Sequence, residues 1–131
     1  MSLERINPDG LAPATGFSHA VRTTGTTVHL AGQTALDSDG RIVGDGIVEQ
    51  FEKALGNLLA ALDAAGGTPD RLASLTVYLA DVQAYKDNAR QIGRVWKRLV
   101  GSDYPAMAAV GVSRLWDVEA LVEVQGVAVL D

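Results

Sequence analysis

The chain has 131 residues, 47% of them hydrophobic and 21% charged, with no cysteine and a formal net charge of -5. That length suits one domain over residues 1–131, long enough to bury a core without disulfides. Sixteen Asp plus Glu against eleven Lys plus Arg leave no electrostatic footprint for phosphate-backbone binding, so no nucleic-acid partner is expected, and the missing thiols exclude disulfides, thiolate zinc sites and a cysteine nucleophile. No run approaches the roughly 20 apolar residues needed to span a bilayer, and the opening MSLERINPDGL lacks the basic-then-apolar layout of a signal peptide. A cytoplasmic protein with no membrane partner is expected.

The first dozen residues, with Asn7, Pro8, Asp9 and Gly10, read as a polar surface arm. From His19, the β-branched runs HAVRTT and TTVHLAG flank Gly25 and predict a hairpin. Its register stays open between a three-residue loop with Ala20 opposite Val28 and a two-residue turn at Thr24-Gly25, one residue out of step. Asp37, Ser38, Asp39 and Gly40 then mark a turn, with at most a short RIV strand behind it. Ile47, Phe51, Leu55, Leu58, Leu59 and Leu62 recur at helical spacing and predict an amphipathic helix from Gly46 to Ala65, stopped by Gly66 and Gly67. Thr68-Pro69-Asp70 caps a short turn, and LTVYLAD reads as a strand. A second helix is expected from Gln83 to Gly101, with Tyr85, Ile92, Val95, Trp96 and Leu99 on one side and Lys86, Arg90, Arg94 and Lys97 on a solvated face. Two strands, Ala106–Val112 and Ala120–Leu130, end the chain.

The order predicts an α+β two-layer fold, a sheet of about five strands with two helices on one face. The last strand is apolar on both alternations. Val122, Val124, Ala128 and Leu130 share one side, and Leu121, Val127 and Val129 share the other with Glu123 and Gln125. Strands covered on both faces read this way, yet no element is left to cover the second face. Another copy of the chain is the expected cover. Glu123 and Gln125 then lie at or near an interface, where polar groups need a partner or ligand.

Chemistry-bearing residues are few. His19 and His29 are too few ligands for zinc; His29 is expected to be a packed or hydrogen-bonded strand residue, and His19, at a strand start, to line a cleft. No nucleophile elbow is present, and Ser113 has no histidine neighbour in sequence. Gly40, Gly44 and Gly46 read as turns, since no P-loop lysine follows. Gly32-Gln33 at a strand end allows close ligand approach, with an amide to orient it.

Taken together, GFSHAV at Gly16–Val21, LAGQ at Leu30–Gln33, LTVYLADV, Tyr104-Pro105-Ala106 and the closing VEVQGVAV resemble the RidA (YjgF/YER057c/UK114) family, also described as endoribonuclease L-PSP. The resemblance runs in order over nearly the whole chain. It implies a chorismate-mutase-like fold, a homotrimer with ligand clefts between subunits, and cofactor-free hydrolysis of reactive 2-imino or 2-enamino acids. It also implies a clamp arginine after Pro-Ala, an early tyrosine, a backbone carbonyl and a glutamate near the last strand. In this sequence those positions fall on Met107, Phe17, the backbone beside Ala106 and Glu123, with Gly32 and Gln33 as the strand-end pair.

Methionine cannot pair with a carboxylate. Loss of a bidentate charge-assisted contact costs roughly 2–5 kcal/mol, or about 30-fold to several-thousand-fold in affinity. Phe17 also lacks the hydroxyl. The expectation is a hydrolase of an imine, enamine or related C=N compound that is less acidic than a 2-imino acid, with Glu123 as the catalytic base, Tyr104 in the cleft wall and no metal or cofactor. The alternative is a non-catalytic trimeric ligand-binding protein. Met107 as plain core filler and Arg114 as a loop-capping residue are the structural alternatives at those positions. Trp116 is either a lid on the cleft or a packed loop residue.

Overall fold

The computed structural model describes residues 3–131. Six strands, β1 (Leu3–Ile6), β2 (Ala20–Thr23), β3 (Thr26–Gln33), β4 (Leu72–Leu79), β5 (Ala106–Gly111) and β6 (Val122–Leu130), alternate with helices α1 (Ile47–Ala64), α2 (Val82–Asp87) and α3 (Ala89–Leu99). Four strands form a mixed sheet in the order β3-β6-β4-β5, and β1 and β2 form a separate antiparallel pair. The expected α+β layering holds, with three helices rather than two.

α1 forms where the spacing predicts. Ile47, Phe51, Ala54, Leu55, Leu58 and Leu62 bury one stripe, and Gly66, at φ 91°, ends the helix with its N–H donating to the Asp63 carbonyl. The stripe packs on the sheet face made by Leu75, Val77 and Leu79 of β4 and Val122, Val124 and Ala128 of β6, with Trp96, Val95 and Ile92 of α3 closing the core. Deleting a side chain such as Leu58, which has no exposed surface, would cost about 2–5 kcal/mol.

Three expectations are corrected. The first residues are not a loose arm throughout, because Leu3 to Ile6 pair with Thr23 to Ala20. The runs around Gly25 do not pair with each other, so neither hairpin register applies. β2 takes β1, and β3 takes β6 with Thr26 opposite Leu130 and His29 opposite Val127. Gly25, at φ 136°, turns the chain where an added Cβ would overlap the Leu130 carbonyl oxygen. The second helix is broken at Asn88, whose side-chain amide donates to the Ala84 carbonyl at 2.8 Å and competes with the helical ladder.

Register assigns the faces. Leu75 lies opposite Gly126 and Val77 opposite Val124, both pointing to the helices, whereas Thr76 opposes Gln125 and Tyr78 opposes Glu123 on the other side. That second face carries His29, Thr76, Tyr78, Glu123, Gln125 and Val127 and has no covering helix among the described residues, and β5, an edge strand, is exposed from Ala108 to Gly111. His29 is exposed there rather than packed.

Candidate functional site

The side chains singled out by sequence separate into distinct places. Met107 pairs in register with buried Leu75 and so faces the helices. It lines a cavity of about 320 Å³ with Phe51, Tyr85, Gly93, Trp96 and Tyr104. Among the described residues no charged side chain lines this cavity. Tyr104 is held flat on buried Trp96, with ring centroids 5.1 Å apart and planes 9° apart, and the Trp96 indole N–H donates to the Asp103 carbonyl at 3.1 Å. Tyr85 meets Phe51 edge to face at 6.0 Å. Burial raises the Tyr85 hydroxyl above its ordinary pKa, and the nearby Tyr104 adds to the effect. The Tyr85 phenol is therefore neutral near pH 7, and the cavity offers hydroxyl groups and aromatic walls.

Glu123 sits on the opposite sheet face, half-buried, beside Tyr78. Its carboxylate occupies the space over Gly32 that an added Cβ would overlap, and the β3–β6 register shifts between Leu30 and Gln33 at that point. A glycine at this bulge is what admits the carboxylate. The neighbouring Tyr78 hydroxyl donates to the Gln125 side chain at 3.1 Å. Gln33 lies a step away, in a groove shared with Lys53 and Asn57 of α1. Met107 and Glu123 are thus on opposite faces, and one chain does not bring them into a single cleft.

The remaining candidates are held by their own chain. The His19 ring bonds the Ala12 carbonyl at 2.7 Å through Nε2, and its backbone N–H donates to Asn7. With Phe17 against it edge to face at 4.9 Å, His19 pins the entry loop instead of lining the aromatic cavity. Ser18 donates from Oγ to the Tyr104 carbonyl at 2.6 Å and from its N–H to the Pro105 carbonyl at 2.9 Å. Ser18 also bridges Ala106 in parallel, so two carbonyls just before Ala106 are already engaged. Arg114 donates from Nε to the carbonyl of Leu115 and from Nη2 to that of Trp116, both at 3.1 Å, the loop-capping geometry. Trp116, 91% exposed, covers no part of the cavity and is not packed against its own chain.

Sequence reasoning missed Tyr85 and Gly93 as cavity residues, reading Tyr85 only as core; the one available signal was a glycine inside the periodic run of α3. It also missed Gln50. This residue, 3% exposed, donates to the carbonyls of Gly44 and Glu119 and accepts from the Leu121 N–H at 2.8 Å, fastening α1 to the segment that leads to Glu123. A larger open groove of about 550 Å³ along α1, near Glu52, Gly56 and Leu99, touches none of the predicted residues. Among the described residues no cluster of three His, Asp or Glu side chains could hold a metal ion, and no helix is long and apolar enough to cross a membrane.

This arrangement, a mixed sheet layered by helices with an aromatic cavity at the mouth of its edge strand, is of the Rid type. The family described as Endoribonuclease L-PSP matches residues 8–130, and the chain belongs to that family, the RidA (YjgF/YER057c/UK114) family. Over 117 residues it is 34% identical to the RutC family protein UK114 of Drosophila melanogaster, covering 88% of this chain and 80% of that one. Over 123 residues it is 30% identical to the human 2-iminobutanoate/2-iminopropanoate deaminase, covering 93% and 83%. Among solved structures, the Rid family protein YyfB from Yersinia pestis superposes with a TM-score of 0.89 at 33% identity over 99% of this chain and all of that one. RidA from an Antarctic Psychrobacter gives 0.69 at 28% identity, covering 91% and 92%.

Proposed function

We propose that this chain is a cofactor-free hydrolase of an imine, enamine or related C=N compound that carries no carboxylate beside the reacting carbon, with its site between copies of a homotrimer. The observation that carries the reading is Met107, in the position of the clamp arginine, inside a cavity lined by no charged side chain. Relatives named 2-iminobutanoate/2-iminopropanoate deaminase, such as the human protein at 30% identity, support C=N hydrolysis as the reaction class. A carboxylate brought into an uncharged cavity loses hydration without gaining a counter-ion, so a neutral substrate is favoured.

Water adds to the C=N carbon while one of its protons passes through Glu123 to the imine nitrogen, giving a neutral carbinolamine. Glu123 then takes the carbinolamine hydroxyl proton and delivers it to the nitrogen as the C–N bond breaks, leaving the carbonyl compound and free ammonia or amine. Because Met107 and Glu123 lie on opposite sheet faces, a site using both takes Met107 from one copy and Glu123 from a second, which the uncovered sheet face accommodates. Glu123→Gln then lowers kcat by roughly 10²–10⁴-fold and leaves ligand affinity nearly unchanged. Equal loss of both, or loss of neither, would remove the enzyme assignment. One observation favours non-catalytic ligand binding instead: the cavity around Met107 holds only phenols as titratable groups. Unchanged binding with no turnover in the wild type is the outcome that reading requires.

A further inference from the structure

Gly93 lies in the middle of α3 and lines the aromatic cavity. Glycine there weakens the helix relative to alanine, and nothing within the chain demands it, because an added Cβ would meet no atom within 4 Å. The empty space it leaves opens into the cavity beside Tyr85 and Tyr104. The hydroxyls of both tyrosines have no hydrogen-bond partner among the described residues, although their rings are fixed by Phe51 and Trp96. At about 320 Å³ the cavity is roughly twice the size of an apolar protein cavity that holds benzene, and near the lower end of the range for small-molecule sites.

We propose that this cavity binds an uncharged planar ring bearing one polar substituent, that Gly93 sets the depth available to the ring, and that the Tyr85 and Tyr104 hydroxyls hold the substituent. The aromatic walls supply flat apolar contact and edge or face stacking. The phenols, each both donor and acceptor, suit an amide, imine or carbonyl group and offer a carboxylate no positive charge. The proposal narrows the substrate class of the reading above and rests on it for the identity of the reacting bond. The binding itself is tested without turnover.

The probes are benzamide, benzoate and acetamide, titrated by calorimetry into the full chain, with amide shifts of α3 followed by NMR. Benzamide should bind with shifts centred on Gly93, and benzoate and acetamide should each bind at least about tenfold more weakly, the first for its charge and the second for its missing ring. Gly93→Val should abolish benzamide binding. Gly93→Ala should weaken it while raising the Tm by about 3–5 °C through helix propensity. Tyr85→Phe should weaken it roughly threefold to tenfold, the value of one neutral hydrogen bond. Benzoate binding as tightly as benzamide, wild-type affinity in folded Gly93→Val, or a change of oligomeric state in Gly93→Ala would overturn the proposal, the last by assigning the space to a second copy. The two readings fail separately. Benzamide binding without hydrolysis of any benzaldimine removes the hydrolase and keeps the cavity, whereas undiminished hydrolysis of a neutral imine by Gly93→Val removes the cavity and keeps the hydrolase.

Discussion

Replacing Met107 by arginine should confer activity on an acidic substrate that the wild type handles poorly. A guanidinium clamped on a carboxylate contributes about 2–5 kcal/mol where the pair is desolvated. The cavity reduces that gain, because its lining supplies no counter-ion and the new charge loses part of its hydration in the free protein. The loss is limited, since Met107 is only half-buried and the Tyr85 and Tyr104 oxygens can accept from guanidinium N–H groups. A net gain of about 1–3 kcal/mol remains, or roughly 5- to 150-fold in kcat/KM. The assay generates 2-iminopropanoate in situ and follows its hydrolysis, with a melting curve confirming that Met107→Arg folds. A folded variant with no gain on 2-iminopropanoate, or wild-type turnover already equal to that of an arginine-bearing relative, would refute the reasoning about Met107.

Gln50→Leu leaves the Gly44 and Glu119 carbonyls and the Leu121 N–H without their partner. It should cost roughly 2–4 kcal/mol in urea denaturation, a large share of the roughly 5–15 kcal/mol typical of a domain; a loss under about 1 kcal/mol would mean that the clamp is dispensable. The raised Tyr85 pKa makes the folded state bind more protons than the unfolded chain in alkali. The associated stability is complete below about pH 10, the phenol's ordinary value, and is lost as pH rises through the folded value. Tyr85→Phe should therefore be less sensitive to alkali than the wild type, and an absorbance titration should lose its latest tyrosine phase; identical alkaline unfolding curves would contradict this. His19→Ala should expose residues 7–12 to protease by releasing Ala12 and Asn7 while leaving KM unchanged, and a raised KM would return His19 to the binding site.

What sequence revealed follows from how local each signal is. α1 was legible because seven buried positions repeat along one continuous segment, and β6 because its double alternation needs no knowledge of its neighbours. The break at Asn88 was hidden, since the apolar spacing of Tyr85, Ile92 and Trp96 runs straight through it. β2 and β3 were misjoined because Gly25 gives a strong local turn signal, whereas the partner of β3 lies about a hundred residues away at β6. The same non-locality hid the division of the site. Whether Met107 shares a face with Glu123 depends on the parallel β4–β5 register and the antiparallel β4–β6 register together, and neither is encoded in the residues themselves. The loop contacts of His19 and Arg114 were hidden because backbone carbonyl partners carry no sequence signature.

In the function proposed above, Met107 and its uncharged surroundings turn a Rid-type cleft toward neutral C=N compounds. The most direct test is the ratio of wild-type kcat/KM for a neutral aromatic imine to that for 2-iminopropanoate, measured side by side at neutral pH. A ratio above about 10 is expected, the lower end of what a missing charge pair confers; a ratio below one, with the acidic imine preferred, would contradict a role for Met107 in selecting neutral substrates.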